Sequence, residues 1–225
     1  DGRVLIPLDD AAAGAPSHSI HLKPLAEDAL SLPVRTGKAR VIGIEPASLV
    51  TKSLVREVKT DDAGCFQSAL NPGLTKIAVI ERHKRTGKRG IGILEGYGLT
   101  GGAIATTISH DSHNIVVAGD NDPDMLLAVR ELADMGGGIV SVHGGAIRRL
   151  PLPIAGLMTS ADPQEVNAVL HDMLVAARAE LGIPEDVEPF MTLSFMALPV
   201  IPELKLTARG LFNVNTFSFV GVEAD

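Results

Sequence analysis

The densest chemistry in this chain sits in residues 108–114, which read "ISHDSHN". His110 and His113 stand three apart, with Asp111 and Ser112 between them and Asn114 following. Three kinds of chemistry use such residues: a serine nucleophile activated by histidine, a metal ion held by imidazoles, and hydrogen-bonded recognition of a polar ligand. A catalytic triad needs serine to reach histidine and histidine to reach aspartate in a chain of contacts. Neighbouring side chains on an extended or turning backbone diverge instead, so these four residues do not form a triad among themselves. Two histidines also fall short of the three or four ligands of a tight zinc site. Asp111, Asp120 or His83 would have to complete it. The plainer reading is a polar turn whose side chains satisfy loop backbone groups, and on residue types alone it outweighs metal binding. Histidine, aspartate and asparagine at strand ends can still read the donors and acceptors of a heterocycle.

Other motifs narrow the chemistry further. No G-x-S-x-G elbow is present, so an α/β-hydrolase nucleophile has no support. "GYGLTGGAIA" (96–105) has glycines enough for an anion nest but no P-loop lysine, and the glycines read more simply as turns between strands. "ERHKRTGKRG" (81–90) carries Arg82, Lys84, Arg85, Lys88 and Arg89. It reads as a solvated hairpin loop rather than an anion site.

The elements that must position these residues are built from an aliphatic chain. Of 225 residues, 45% are apolar but only 3% aromatic, with one Tyr and no Trp. That composition suits sheet layers covered by Ala/Leu/Val helices and lacks the aromatic platforms of a nucleic-acid stacking surface. The net charge of −7 offers no general attraction to phosphate backbones, so nucleic acid is not an expected partner. No apolar run approaches the roughly 20 residues of a membrane span, and no segment reads as a signal peptide. A single cysteine, Cys65, excludes an internal disulfide and a cysteine-based zinc site, and suits a cytoplasmic protein. The opening "DGRVL", without Met, points to a longer polypeptide.

Residues 1–37 read as a tail or junction, with a short strand in "DGRVL" and a small-residue linker in "LDDAAAGAPSHS". Residues 39–44 and 49–58 read as strands around Glu45-Pro46, the second alternating between faces. Residues 75–83 and 89–98 read as a β-hairpin with Ile77, Val79, Ile91 and Ile93 available to one face. Residues 102–110 and 113–120 are two more strands, which puts "HDSHN" in the connection between them, where functional groups tend to be displayed. A helix is expected from an Asp122 cap and Pro123 to about Met135, stopped by Gly136-Gly137-Gly138. A second starts at Asp162-Pro163, with Glu165 placed for a capping box. Its core stripe would be Val166, Val169, Leu170, Met173, Leu174, Ala177 and Leu181, with His171 facing solvent. Between the helices, residues 137–153 read as a strand, a Gly144-Gly145 turn and a returning strand, with His143 structural. The succession hints at a duplicated β–β–α unit. Pro199 and Pro202 in residues 189–212 argue for an extended, buried segment rather than a helix. The fold class is therefore α/β or α+β, a mixed and largely antiparallel sheet with two main helices, and not a complete TIM barrel.

The runs "KIAVIERHKRTGKRGIGILEGYGLTGGAIATTISHDSHNIVVAGDNDPDM", "LPLPIAGLM" and "PFMTLSFMALPVIPELKLT", in that order, resemble the C-terminal domain of bacterial adenine deaminase. The resemblance covers about residue 40 to the C-terminus. It implies an enzyme of purine metabolism and salvage that hydrolyses adenine to hypoxanthine and ammonia. It also implies divalent manganese or iron ions held by an amidohydrolase barrel whose ligands begin with an H-x-H pair. This chain has no such pair: His18 and His21 are separated by two residues, as are His110 and His113. The resemblance therefore places the metal centre outside this chain and makes residues 1–37 the end of the preceding amidohydrolase portion, with residues 38–225 the C-terminal domain. His110, Asp111, Ser112, His113 and Asn114 would then contact the purine or the barrel, with no metal ligand among them. Apolar surface left uncovered without the barrel would favour association, so a homodimer is among the expected arrangements. Two other readings stay open. One is a free-standing, non-catalytic purine-binding or oligomerisation domain, and the other a small metalloenzyme centred on His110 and His113.

Overall fold

The computed structural model describes residues 19–224, and the expectations placed on residues 1–18 lie outside the described residues. Short runs of Ile, Val and Ala, punctuated by glycine turns, make eight strands of one sheet. In chain order they are β1 (Lys38–Ile44), β2 (Thr51–Glu57), β3 (Leu74–Ile80), β4 (Arg89–Glu95), β5 (Gly102–Thr106), β6 (Ile115–Gly119), β7 (Gly138–His143) and β8 (Ala146–Pro151). Their order in space is β2-β1-β4-β3-β6-β5-β7-β8. The β1–β4 pair is parallel and every other pairing antiparallel, so the sheet is open, mixed and largely antiparallel, as the sequence implies. Three helices, α1 (Asp122–Asp134), α2 (Pro163–Ala179) and α3 (Pro189–Phe195), accompany it. A smaller sheet of β9 (Leu204–Thr207), β10 (Gly210–Asn213) and β11 (Ser218–Val220) completes the architecture. No helix among the described residues is long and apolar enough to cross a membrane.

Both faces of the large sheet are covered, which explains one failed expectation. Ile77 and Val79 pack on the face shared with Ile104, Val116, α2, α3 and the small sheet. Ile91 and Ile93 point to the other side, because the β3–β4 register sets Gly92 beside Ile77 and Gly90 beside Val79. With both faces apolar, alternation cannot assign a side. The glycines instead make room for the small sheet: a Cβ on Gly92 would touch Leu211 at 3.4 Å, and one on Gly90 would run into the Thr207 carbonyl. The expected alternation in β2 is also absent from its burial, since this edge strand buries only Thr51.

The opposite face is covered by α1 through Met125, Leu126, Ala128, Val129 and Leu132, and by Ala29 and Leu30 of the lead-in segment. The cap of α1 is Asn121, one residue earlier than expected, and its side chain accepts a hydrogen bond from the Asp124 amide at 2.9 Å. Asp122 is freed to pair with the buried Lys76 at 2.6 Å. The cap of α2 is Asp162 as expected, but it accepts from the Gln164 amide and Glu165 makes no capping-box bond among the described residues. The α2 stripe is narrower than expected: Met173 and Ala177 are buried with Ala176, Val166, Leu170 and Leu174 are half-buried, and Val169 is 38% exposed. Residues 189–195 form α3 rather than an extended strap. Pro189 occupies its first turn, where no amide donor is needed, and Pro199 and Pro202 lie beyond its end. The β5–β6–α1 and β7–β8–α2 succession is there, but the two helices lie on opposite faces.

Gly90 gives a direct check on how the layers meet. Gly90→Ala should destabilise the fold by about 3 kcal/mol, because its Cβ meets backbone that cannot rotate away. Denaturant unfolding would measure this, and an unchanged midpoint would contradict the close approach of β4 to the small sheet.

Candidate functional site

The run 108–114 lies in the connection from β5 to β6, at the end of the sheet where β3 also ends. The loop begins at Thr107, whose hydroxyl accepts from the Gly138 amide at 2.8 Å and donates to the Gly156 carbonyl at 2.5 Å. Gly136, Gly137 and Gly138 follow α1 with φ of 81°, 109° and 139°, values that favour glycine. A Cβ on Gly137 would lie 2.5 Å from the Gly156 Cα, so the glycine run lets the strap of residues 154–158 close over the start of the loop.

Within the loop, the His113 amide donates to the Ser109 carbonyl at 2.6 Å, closing an α-turn. His113 sits at φ 46°, a left-handed conformation that histidine adopts more readily than most side chains. The His110 amide donates to the Ser194 carbonyl at 3.0 Å, and its ring lies 4.5 Å from that of Phe195 on α3. Asp111 and Ser112 are exposed, His110 and His113 half-buried, and Asn114 buried. Ser109 Oγ and His113 Nδ1 are buried without a hydrogen-bond partner among the described residues. Burial, with help from His110 and then the positive charge of Arg82, pushes His113 below the usual imidazole value.

Arg82 is the residue that the charge pattern hides. The cations Lys84, Arg85, Lys88 and Arg89 of its run are exposed, as expected of a solvated turn, but Arg82 is 1% exposed. Its Nε donates to the His113 carbonyl, its Nη1 to Ser19 Oγ at 2.9 Å and the Ser19 carbonyl at 3.2 Å, and its Nη2 to the Ala155 carbonyl at 3.0 Å. The sequence signal for this inward position is its spacing of two from the buried Ile80. Next to it, Glu81 gathers the turn. Its carboxylate accepts from the amides of His83, Lys84 and Thr86 and from the Thr86 hydroxyl. Burial opposes that charge, but the bonds from Thr86, Lys84 and His83 outweigh it and hold the carboxyl down at about 2.

Of the residues weighed as further metal ligands, His83 is brought to the loop, with Nε2 2.9 Å from the Ser112 carbonyl. Asp120 lies at the far end of β6, roughly 20 Å of extended chain away, where it accepts from the Gly101 and Gly102 amides. The ring centroids of His110 and His113 are 6.0 Å apart, and no group of three His, Cys, Asp or Glu among the described residues is arranged to hold a metal ion. The residues present do not fit the divalent ions that the family resemblance implies. The larger surface concavities, of about 660 and 520 Å³, lie elsewhere, one lined by Lys38, Arg56 and Asn71 and the other by Leu174 and Arg178. The loop combines exposed Asp111 and Ser112 with two buried polar atoms, Ser109 Oγ and His113 Nδ1, that have no partner among the described residues. The run 96–101 spells G-x-G-x-x-G but joins β4 to β5, with no helix to present to a phosphate.

Comparison with known proteins fits this arrangement. The family model described as the adenine deaminase C-terminal domain matches residues 48–218. An adenine deaminase of Nitratidesulfovibrio vulgaris is 56% identical over 223 residues, covering 99% of this chain and 38% of that protein. Adenine deaminase 2 of Carboxydothermus hydrogenoformans is 46% identical over 217 residues, and the adenine deaminase of Clostridium acetobutylicum 44% over 205. The chain covers 37% and 36% of those two, so it spans little more than a third of the length of the curated relatives it matches.

The Glu81 turn gives a pH test. A carboxyl lowered from 4.5 to about 2 stabilises the fold fully above 4.5 and loses that contribution as pH falls toward 2. Glu81→Gln should therefore be less stable at pH 7 and lose less stability than the parent between pH 4.5 and 2, measured by denaturant midpoints. Parallel pH curves for the two proteins would rule out the turn's role.

Proposed function

We infer the function of this chain from one premise: it belongs to the adenine deaminase C-terminal domain family. On this reading it forms part of a cytoplasmic adenine deaminase that hydrolyses adenine to hypoxanthine and ammonia. The divalent metals, manganese or iron, belong to an amidohydrolase barrel outside this chain. Residues 1–37 are the junction from that barrel, and residues 38–225 the domain that follows. His110, Asp111, Ser112, His113 and Asn114 serve the barrel's site from outside, by lining the purine pocket or ordering a loop over it.

The observation that carries this reading is where the lead-in segment meets the domain. Ser19 bonds to the Arg82 guanidinium, and the His21 amide donates to the Arg82 carbonyl at 2.7 Å, directly beside the His113 carbonyl. The described chain therefore begins, at Ser19, at the end of the sheet that carries the loop. A half-buried His113, whose charged form burial disfavours, suits hydrogen bonding to an uncharged heterocycle better than proton chemistry. In the full polypeptide that carries this chain, His110→Ala and His113→Ala should each lower kcat/KM for adenine by about tenfold or more. His171→Ala, on the exposed side of α2, should leave it unchanged. An unchanged kcat/KM in both loop variants would reduce the loop to a structural turn.

A second reading, a domain that associates with its own kind, is favoured by the small sheet. Phe217 and Phe219 are 76% and 43% exposed there, and the Arg209 guanidinium lies over the Phe219 ring. Intact mass separates the readings. A polypeptide well above 23.5 kDa with bound manganese or iron supports the deaminase, whereas a dimer of metal-free chains of this mass supports association.

A further inference from the structure

We propose that Arg82 is the positioning residue of this site: its guanidinium fixes the His113 end of the loop to the lead-in segment and to the strap, so that the loop's conformation depends on that one side chain. The proposal deepens the reading of the loop as a purine-site contact, and its role at adenine rests on that reading.

A buried guanidinium usually faces a carboxylate, because removing the charge from water is expensive unless an opposite charge or a full set of acceptors replaces the solvent. Lys76, the buried cation of β3, follows that rule with Asp122. Arg82 does not. Among the described residues its acceptors are the main-chain carbonyls of Ser19, His113 and Ala155 and the Ser19 hydroxyl, with no acidic side chain among them. Burial alone lowers its proton affinity from the ordinary value. Three carbonyls from three separate segments, at positions 19, 113 and 155, converge on one planar fork. Each segment has ties of its own, such as the His113 amide to Ser109 and the Gly156 carbonyl to Thr107, but among the described residues this guanidinium is what joins all three, because its fixed donor directions reach the three carbonyls together.

The surroundings are shaped for that fork. Gly156 has φ +72°, and a Cβ there would lie 2.9 Å from Nη1 and 3.1 Å from Nη2. The strap can approach the guanidinium only because this residue has no side chain. The same glycine's carbonyl accepts from Thr107, so the strap touches the loop at its first residue as well as through Arg82 near its last. The Arg82 backbone adds to the clamp. Its amide points to Asn114 Oδ1 at 3.4 Å, and its carbonyl receives the His21 amide. The loop is thus held at Thr107, at His110 through Ser194, at Ser112 through His83, and at His113 through Arg82, and of these ties the Arg82 side chain is the one that also bonds the lead-in segment at Ser19.

The test compares Arg82→Gln and Arg82→Lys with the parent in the full polypeptide, by hydrogen–deuterium exchange and by kinetics with adenine. Glutamine fills part of the volume but cannot reach three carbonyls, and lysine keeps the charge without the fork. Both variants should speed exchange in the peptides covering 107–114 and 19–22, with α1 and β3 to β6 remaining protected. KM for adenine should rise about tenfold with kcat within about threefold, because a displaced contact weakens binding, whereas partial unfolding lowers the active fraction and leaves KM alone. Exchange in 107–114 equal to the parent's, or faster exchange spread evenly over the molecule, would overturn the proposal. Local loosening with unchanged KM and kcat would uphold Arg82 as the loop's clamp and count instead against the loop's contact with adenine.

Discussion

A guanidinium removed from water and given no carboxylate among the described residues must find oxygen acceptors from the backbone around it, and Arg82 finds them in three segments that are otherwise far apart in sequence. The constraint runs in both directions. The carbonyls of Ser19, His113 and Ala155 are turned inward because the charge needs them, and the charge is tolerated because they are there. With that cluster in place, the β5–β6 connection presents His110, Asp111 and Ser112 outward while Ser109 and Asn114 stay buried. Removing the fork would leave three partly buried carbonyls short of a donor, a cost usually larger than the loss of a surface hydrogen bond.

The cluster depends in turn on how the sheet is enclosed. Because α1 covers one face and α2, α3 and the small sheet cover the other, the strand ends and the edge strands β2 and β8 are where polar side chains reach solvent. The glycines after α1 bring the strap within reach of Thr107, and Gly156 brings it within reach of Arg82. Phe195 at the end of α3 supplies the ring beside His110. The site is assembled from six stretches of chain, and apart from the Arg82 guanidinium and the Phe195 ring most of the ties between them use backbone atoms.

That explains what could be read in the sequence and what could not. Strand pairs around Thr86-Gly87 and Gly144-Gly145, and the Asp162-Pro163 start of α2, were legible because local turn and cap chemistry determines them. The faces of Ile91 and Ile93 were not, because a strand buried on both sides has no polar face to report its orientation. α3 was missed because Pro199 and Pro202 were read as acting on the whole segment, when they act only after Phe195. The loop itself was found from residue types, and its place between β5 and β6 was correct. Arg82 was hidden among exposed cations, since composition averages over a run and burial is decided residue by residue. Asp120 looked close to His113 in sequence but is held at the far end of β6. Membership in the adenine deaminase C-terminal domain family was legible as a resemblance, because several separate motifs kept their order.

The central proposal is that the outward side of this loop meets the metal-bearing portion of an adenine deaminase. The most direct measurement places a photo-crosslinking amino acid at Asp111, which is exposed, in the full polypeptide. Mass spectrometry of the illuminated protein then identifies what the side chain touches. Crosslinks to segments outside this chain, reduced when adenine is bound, are the expected result. Crosslinks confined to residues of this chain, unchanged by adenine, would contradict it.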